Sequence, residues 1–314
     1  MTLNALIADI NITFSGDLDE AFLKRLKPYK AKFNSPDITV EFKLSDNVIL
    51  PDNITVIKKS NDRTWFYFGE YFCYADFNEQ IGKYVLITYI TSSNVKIVVY
   101  NLQEKKEIEL INEALRAYKK TMPNIKERET AETASFNKDC LLLNSTDQAL
   151  RYAMLYHKVF SIHSSAIAVN KAGIIFSAPS GTGKSTHTAL WEKYYDAVVV
   201  NDDSPFIGAD VNGITLHGAP WAGSTGINQN LKVPLKAVVF LQQAPENSIT
   251  PLVSLQALQL LLRELLMPCD RQLIDNTYTM LNLLLASVPC YLLKCTPDKE
   301  AADVVYDEIF NKND

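Results

Sequence analysis

Residues 176–191, FSAPSGTGKSTHTALW, carry the residue types that handle phosphate. Ser180, Gly181, Thr182, Gly183, Lys184, Ser185 and Thr186 follow an apolar run, residues 173–176, that reads as a strand, so the chain turns from strand to helix through small residues. The first N–H groups of a helix have no partner inside it, and with the helix dipole they form an anion site. Glycine at 181 and 183 lets the backbone take positive φ and approach phosphate oxygens with no Cβ in the way. Lys184 can then reach the β and γ phosphates of ATP, and the Ser185 hydroxyl can ligate Mg²⁺. Residues 180–186 are therefore the candidate nucleotide contacts. The strict pattern G-x-x-x-x-G-K-[ST] requires glycine where this chain has Ala178, which marks the loop as a variant.

Carboxylates and a histidine at defined spacing narrow the chemistry. Asp202 and Asp203 stand 18 and 19 residues beyond Lys184, after the apolar run 197–200. One helix and one returning strand fill that length, which brings the pair back beside the loop. Neighbours on a straight strand face opposite ways. One of the pair is thus expected to hold Mg²⁺, directly or through water, and the other to face the acceptor, where a carboxylate can take a hydroxyl proton. The competing reading is an Asx-capped turn, for which NDDSP has the composition. His163, 21 residues before Lys184, is expected to orient an aspartate or contact phosphate, the alternative being a structural histidine.

Weaker signals lie around this group. His157 and His187 fall on expected helices, and His217 opens HGAPWAGSTG, which holds three of the chain's 11 glycines. That stretch reads as a loop able to close on substrate, or as an ordinary connection. Arg263 and Arg271 can offer charge to phosphate, although surface ion pairing competes.

The elements that position these residues follow two patterns. The first hundred residues contain DITVEFKL, TWFYFGEYFCYADF, YVLITYI and VKIVVY, separated by Asp, Asn, Gly and Ser clusters, which predicts an antiparallel or meandering sheet. Residues 104–120 carry a helical apolar stripe. A polar, aperiodic stretch follows. After residue 145, helices alternate with short apolar strands, with TDQALRYAMLYHKVF as the first helix, and such alternation implies an α/β domain with its ligand at the carboxyl ends of strands. The expected organisation is a β-rich accessory or substrate-presenting domain over 1–125 with a terminal helix, a linker over 126–145 and a nucleotide-binding catalytic domain over 146–314.

Whole-chain properties bound the function. The 314 residues suffice for two domains, and 47% hydrophobic with 21% charged residues is ordinary for a globular protein. A net charge of -5 with no basic cluster argues against nucleic acid as a partner. The N-terminus lacks the form of a secretory signal, and no apolar stretch is long enough to span a bilayer, so a cytoplasmic protein without a membrane partner is expected. The five cysteines form no C-x-x-C pair and read as small buried hydrophobes rather than as a zinc site or a disulfide framework.

IHSSAIAV, GIIFSAPSGTGKSTHTALW and AVVVNDD together resemble the catalytic domain of HPr kinase/phosphorylase and the related kinases that share a phosphoenolpyruvate carboxykinase-like nucleotide fold. The resemblance is firm over residues 156–203. It implies an α/β (α+β) protein whose C-terminal carboxykinase-like P-loop domain has a mixed sheet. It also implies that His163 assists the acid/base Asp202, that Asp203 is the neighbouring aspartate, and that Gly181, Gly183, Lys184 and Ser185 contact ATP and Mg²⁺. Related kinases tend to assemble, so the resemblance makes a homo-oligomer possible and leaves the oligomeric state open. Ser164 replaces the glycine of the family's HG pair, HGAPWAG is not the arginine-bearing loop of true HPr kinases, and no segment matches the one that docks the phosphocarrier.

The leading expectation is a kinase acting on a hydroxyl of a protein, a peptide or a small metabolite. A nucleotide-binding scaffold with little turnover is the alternative. A carboxykinase ranks third, because the second half offers only Arg151, Arg263 and Arg271 for a dicarboxylate.

Overall fold

The computed structural model of the chain describes residues 1–120, 141–223 and 226–311. It divides into two compact units, one comprising Met1–Asn4, Ile12–Lys24 and Lys32–Ala153, the other Ala5–Asn11, Arg25–Ala31 and Met154–Asp314. The first is built on a β-rich sheet and the second is mixed α/β.

The first sheet contains β1 (Thr2–Ile7), β2 (Ile10–Gly16), β3 (Ile38–Ser45), β4 (Thr55–Lys59), β5 (Arg63–Phe68), β6 (Tyr71–Asn78), β7 (Lys83–Ile90) and β8 (Asn94–Tyr100), in the order β1-β2-β3-β8-β7-β6-β5-β4. Strands β5 to β8 form the expected antiparallel meander, and β4, which the sequence reading did not name, extends it by pairing antiparallel with β5. TWFYFGEYFCYADF is two strands, not one, because Gly69 at φ +57° turns the chain between them. The expectation of an antiparallel sheet fails for β2, β3 and β8, which run parallel. Alternation within β3, with Ile38, Val40 and Phe42 buried and Glu41 and Lys43 exposed, fixes which face is inward but not the direction of the neighbours.

Helix α1 (Glu20–Arg25) is capped by Asp19, whose Oδ1 accepts from the Phe22 N–H at 2.7 Å. Helix α2 (Lys105–Lys120) follows the expected stripe and packs Ile108 and Ile111 on a core that includes Val48, Phe66, Ile87 and Leu102. Its Glu107, nearly buried, accepts from Lys83 Nζ at 2.7 Å. Helix α3 (Leu141–Leu155) sets Tyr152 against Phe72 and Tyr74, and Gln148 Oε1 accepts from Arg63 Nη1 at 2.6 Å. The helix expected over 146–160 starts earlier and stops sooner. Lys158 has φ +59°, and Val159–Ser161 pairs as strand β9. Of the linker expected over 126–145, residues 126–140 lie outside the described residues.

The second unit's sheet centres on β15 (Lys232–Gln243), with β11 (Ala172–Ser177) and β17 (Cys290–Cys295) parallel on either side. Around these run β10 (Ser165–Val169), β12 (Val198–Asn201), β13 (Phe206–Asp210), β14 (Gly213–His217), β9 and β16 (Ser248–Pro251), all paired antiparallel. The parallel strands are the near-continuous apolar runs, as burial on both faces requires. Helix α4 (Lys184–Tyr195) anchors to the sheet through Trp191, fully buried among Ile167, Phe176, Val239 and Leu293. The remaining helices are α5 (Ser254–Leu261), α6 (Arg271–Ser287) and α7 (Lys299–Tyr306). Asp270 and Asp298 cap the last two, and Tyr195 stacks on Tyr306 with centroids 4.5 Å apart.

Residues near the N-terminus complete the second unit. Arg25 Nη1 donates to the Gly226 carbonyl at 3.0 Å, Asn228 Nδ2 to the Arg25 carbonyl at 3.3 Å, and Lys232 Nζ to Asp9 at 2.6 Å. Cys73 and Cys290 are buried, Cys269 and Cys295 half-buried, and all four are free thiols, while Cys140 lies outside the described residues. No described helix is long and apolar enough to cross a membrane.

Candidate active site

Strand register gathers the candidate residues. Ser165 of β10 pairs with Phe176 of β11, and Ala166 pairs with Asn201 at the end of β12. The approach to β10, the exit of β11 and the exit of β12 therefore meet at one end of the sheet. His163 precedes β10, the glycine loop leaves β11, and Asp202 and Asp203 follow β12.

The loop adopts the backbone its glycines permit. Gly181 has φ +80°, and Gly183, the N-cap of α4, has φ +111°. Nothing lies within 4 Å of where a Cβ would sit at either position, so backbone angle rather than crowding selects glycine. Lys184 folds back over the loop. Its Nζ donates to the Ala178 carbonyl at 2.6 Å and lies 3.1 Å from His163 Nε2. An ammonium offers no lone pair, so Nε2 accepts and the imidazole proton sits on Nδ1. That nitrogen faces Asp203 Oδ1 at 3.4 Å. Lys184, His163 and Asp203 thus form one directed chain. Partial burial lowers the Lys184 pKa, opposed by the charges of Glu264 and Asp203. Ser185 and Thr186 are exposed at the start of α4.

The two aspartates have different partners. Asp202, buried, accepts the Gly223 N–H on Oδ1 at 2.7 Å, whereas Asp203, half-buried, accepts from Ser204 Oγ at 2.9 Å and faces His163. The alternation expected of a straight strand does not separate them. They stand in an Asx turn, because Asn201 Oδ1 accepts from the N–H groups of Asp203 at 3.0 Å and Ser204 at 2.7 Å. The turn and the candidate chemistry thus occupy the same residues.

Two contributors escaped the sequence reading. Asn201, fully buried, also donates through Nδ2 to the carbonyls of Ala219 at 3.2 Å and Trp221 at 2.7 Å, tying the aspartate turn to the segment that carries Gly223. The asparagine at the start of NDDSP was the one available signal. Glu264 accepts the His163 N–H on its carbonyl at 2.9 Å, and nothing in its local sequence announces that contact. An Asn201→Ala variant leaves two buried N–H groups and two carbonyls without this partner and is expected to lose about 3 kcal/mol or more. The urea midpoint checks this, and a loss below about 1 kcal/mol would remove Asn201 from the role.

The other candidates lie elsewhere. His187 is buried and accepts from Trp191 Nε1 at 3.1 Å, His217 is buried beside Thr215 Oγ1 at 2.8 Å, and His157 is half-buried. Arg263 and Arg271 are exposed, and Arg151 pairs with Asp147 at 2.6 Å. Of the loop HGAPWAGSTG, Ser224 and Thr225 lie outside the described residues, while 219–223 is tied down through Asn201 and Asp202.

Burial pushes the His187 pKa from 6.5 down to about 4. Between those values the unfolded chain binds the proton and the folded chain does not, so stability is complete above about pH 6.5 and falls as the pH drops toward 4. Burial acts in the same direction on His217. Urea midpoints from pH 7 to 4.5 are expected to decline, and His187→Gln, which keeps an acceptor for Trp191, is expected to flatten the decline. An unchanged slope in the variant would refute the assignment.

No group of three or more His, Cys, Asp or Glu among the described residues can by itself hold a metal ion. The loop is bordered by a cavity of about 450 Å³, lined by residues 181–183 together with parts of α4, β15 and β17.

No family model and no curated protein matches the sequence. A solved structure, the Hpr(Ser) kinase/phosphatase from Coxiella burnetii, shows a weak and partial resemblance: 12% identity over 48% of this chain and 89% of that chain, at a TM-score of 0.31. At that score the likeness carries no argument for activity.

Proposed function

We propose that the chain is an ATP- and Mg²⁺-dependent kinase that transfers the γ-phosphate to a hydroxyl group of a protein, a peptide or a small metabolite. The observation that carries the reading is the chain from Lys184 through His163 to Asp203, set over a loop whose two glycines hold positive φ, with Asp202 beside it in the same turn. A lysine, a histidine and two carboxylates gathered at a helix N-terminus are the parts that phosphoryl transfer needs. A fold like that of phosphoenolpyruvate carboxykinase for residues 146–314, and an accessory or substrate-presenting role for 1–125, belong to the same proposal.

The residues divide the work by what they touch. The amides of 180–186 and Lys184 bind the β and γ phosphates. As the acceptor oxygen bonds to the γ phosphorus, its proton passes to Asp202, and the bond from that phosphorus to the bridging oxygen breaks to leave ADP. His163 orients Asp203 and shares the lysine. Ser185 and Asp203 are the two protein groups for Mg²⁺, and so sparse a set suits an ion that keeps waters and takes its other ligands from phosphate. When bound, the ion would neutralise charge on the transferred group.

The test uses ATP labelled in the γ phosphate, Mg²⁺ and a cell extract separated by size, with Lys184→Ala and Asp202→Asn as controls. Label in an acid-precipitable species would identify a protein or peptide acceptor, and label in a small compound other than phosphate a metabolite. No transfer to either fraction would sink the kinase reading and leave a nucleotide-binding scaffold.

A further inference from the structure

The β-rich unit holds a cavity of its own. The residues that follow β3, the end of β8 and the hairpin joining β6 to β7 line it. Its volume of about 330 Å³ stands at the low end of the range of about 300–1,000 Å³ usual for small-molecule sites, which suits a single small metabolite. Val48, Phe77 and Tyr84 supply apolar surface, the two rings meeting edge to face with centroids 5.2 Å apart. Asp46, Asn47 and Lys83 bring polar groups to the same space. A few polar groups set in an apolar lining are the usual make-up of a site that both holds and orients a ligand.

The two charges on its wall are fixed before any ligand arrives. Lys83 Nζ donates to Oε1 of the buried Glu107 at 2.7 Å and to the Tyr100 hydroxyl at 2.7 Å, and that hydroxyl donates to Glu107 Oε2 at 3.2 Å. The bonds to Glu107 and Tyr100 raise the Lys83 pKa, so the ammonium stays charged. It carries three N–H groups and these contacts use two, while the side chain keeps 42% of its surface exposed. Asp46 accepts from Asn101 Nδ2 on Oδ1 at 3.0 Å, and its Oδ2 has no partner among the described residues. Ser45 Oγ accepts the Asn47 N–H at 3.3 Å and donates to the Asn47 carbonyl at 2.6 Å, which holds the turn that carries Asp46. Lys83, Glu107 and Asp46 together sum to one negative charge. A phosphate or a dicarboxylate would therefore be repelled, and a simple amine would give the remaining Lys83 N–H nothing to bond. A zwitterion answers both.

We infer that this cavity binds a free α-amino acid with an apolar side chain. Its carboxylate bonds to Lys83, its ammonium to Asp46, and its side chain packs on Val48, Phe77 and Tyr84. The β-rich unit is then a ligand-binding module in its own right. The inference is independent of the kinase reading, because neither the glycine loop nor the aspartate turn lines the cavity. A peptide terminus brings only one of the two charges and is the poorer ligand.

Calorimetric titration of the full chain with L-leucine and L-phenylalanine tests this. N-acetyl-L-leucine and L-leucinamide, each lacking one charge, are expected to bind about tenfold or more weakly than L-leucine, and L-aspartate not to bind. Asp46→Asn, at an exposed position, still accepts from Asn101 and is expected to weaken L-leucine by about tenfold or more. Lys83→Gln combined with Glu107→Gln removes the other charge without leaving a buried carboxylate unpaired, and is expected to do the same. Circular dichroism confirms that each variant is folded, and if the double variant is not, Asp46→Asn decides alone. Heat from neither amino acid overturns the inference. So does an acetylated or amidated leucine that binds as tightly as the free one, L-aspartate that binds as tightly as L-leucine, or unchanged affinity in Asp46→Asn.

Discussion

A Lys184→Ala variant is expected to lose about 10³-fold in kcat/KM for phosphoryl transfer and to bind ATP far more weakly, while unfolding close to where wild type does. The ammonium is in contact with the loop, reaching the Ala178 carbonyl at 2.6 Å and His163 Nε2 at 3.1 Å. Its partial burial disfavours its charge in the empty loop, and an arriving polyphosphate would return that charge to favourable company. The lysine should therefore contribute more to the complex than to the free fold. Titration calorimetry and steady-state rates on the same preparation check this. A variant that binds ATP normally would remove Lys184 from the phosphates, and one that fails to fold would make it structural.

Asp202→Asn is expected to keep ATP affinity within about threefold and to lose about 10²- to 10⁴-fold in kcat. The amide oxygen of asparagine can still accept the Gly223 N–H that Asp202 accepts at 2.7 Å, so the segment over the turn should stay in place. What disappears is a carboxylate able to take a proton. Asp203→Asn makes the contrast, because it touches the chain to His163 and the candidate Mg²⁺ ligand, and its effect should include a raised Mg²⁺ requirement. Equal loss of binding and turnover in Asp202→Asn would count against a base. Unchanged turnover would hand the role to another group.

How much of this was legible depended on the range of the interactions. The loop was the most legible part, since an apolar strand, two glycines and the start of a helix within a dozen residues leave few other conformations, and Gly181 and Gly183 do take positive φ. The start of α4 at Lys184 followed from the same short stretch. The meander β5 to β8 was legible for a related reason, because its strands are joined by tight turns. Less legible was the end of α3, where continued apolar residues hid a left-handed turn at Lys158.

Residue order by itself determined the local devices, namely the glycine-loop backbone, the Asx turn at NDDSP and the inward faces of the strands, because each is decided by φ preferences and alternation over a few positions. Tertiary structure alone decided the rest. The parallel pairing of β2, β3 and β8 joins segments far apart in sequence. Residues 5–11 and 25–31 fold with the second unit, and Glu264 supplies the carbonyl beneath His163. The unlike partners of Asp202 and Asp203 came from Gly223 and His163, which approach the turn from different directions. Contacts of this kind are set by which strands pair and in what register, and adjacent residues carry no record of that, because a strand's hydrogen-bonding groups are the same whichever neighbour they meet.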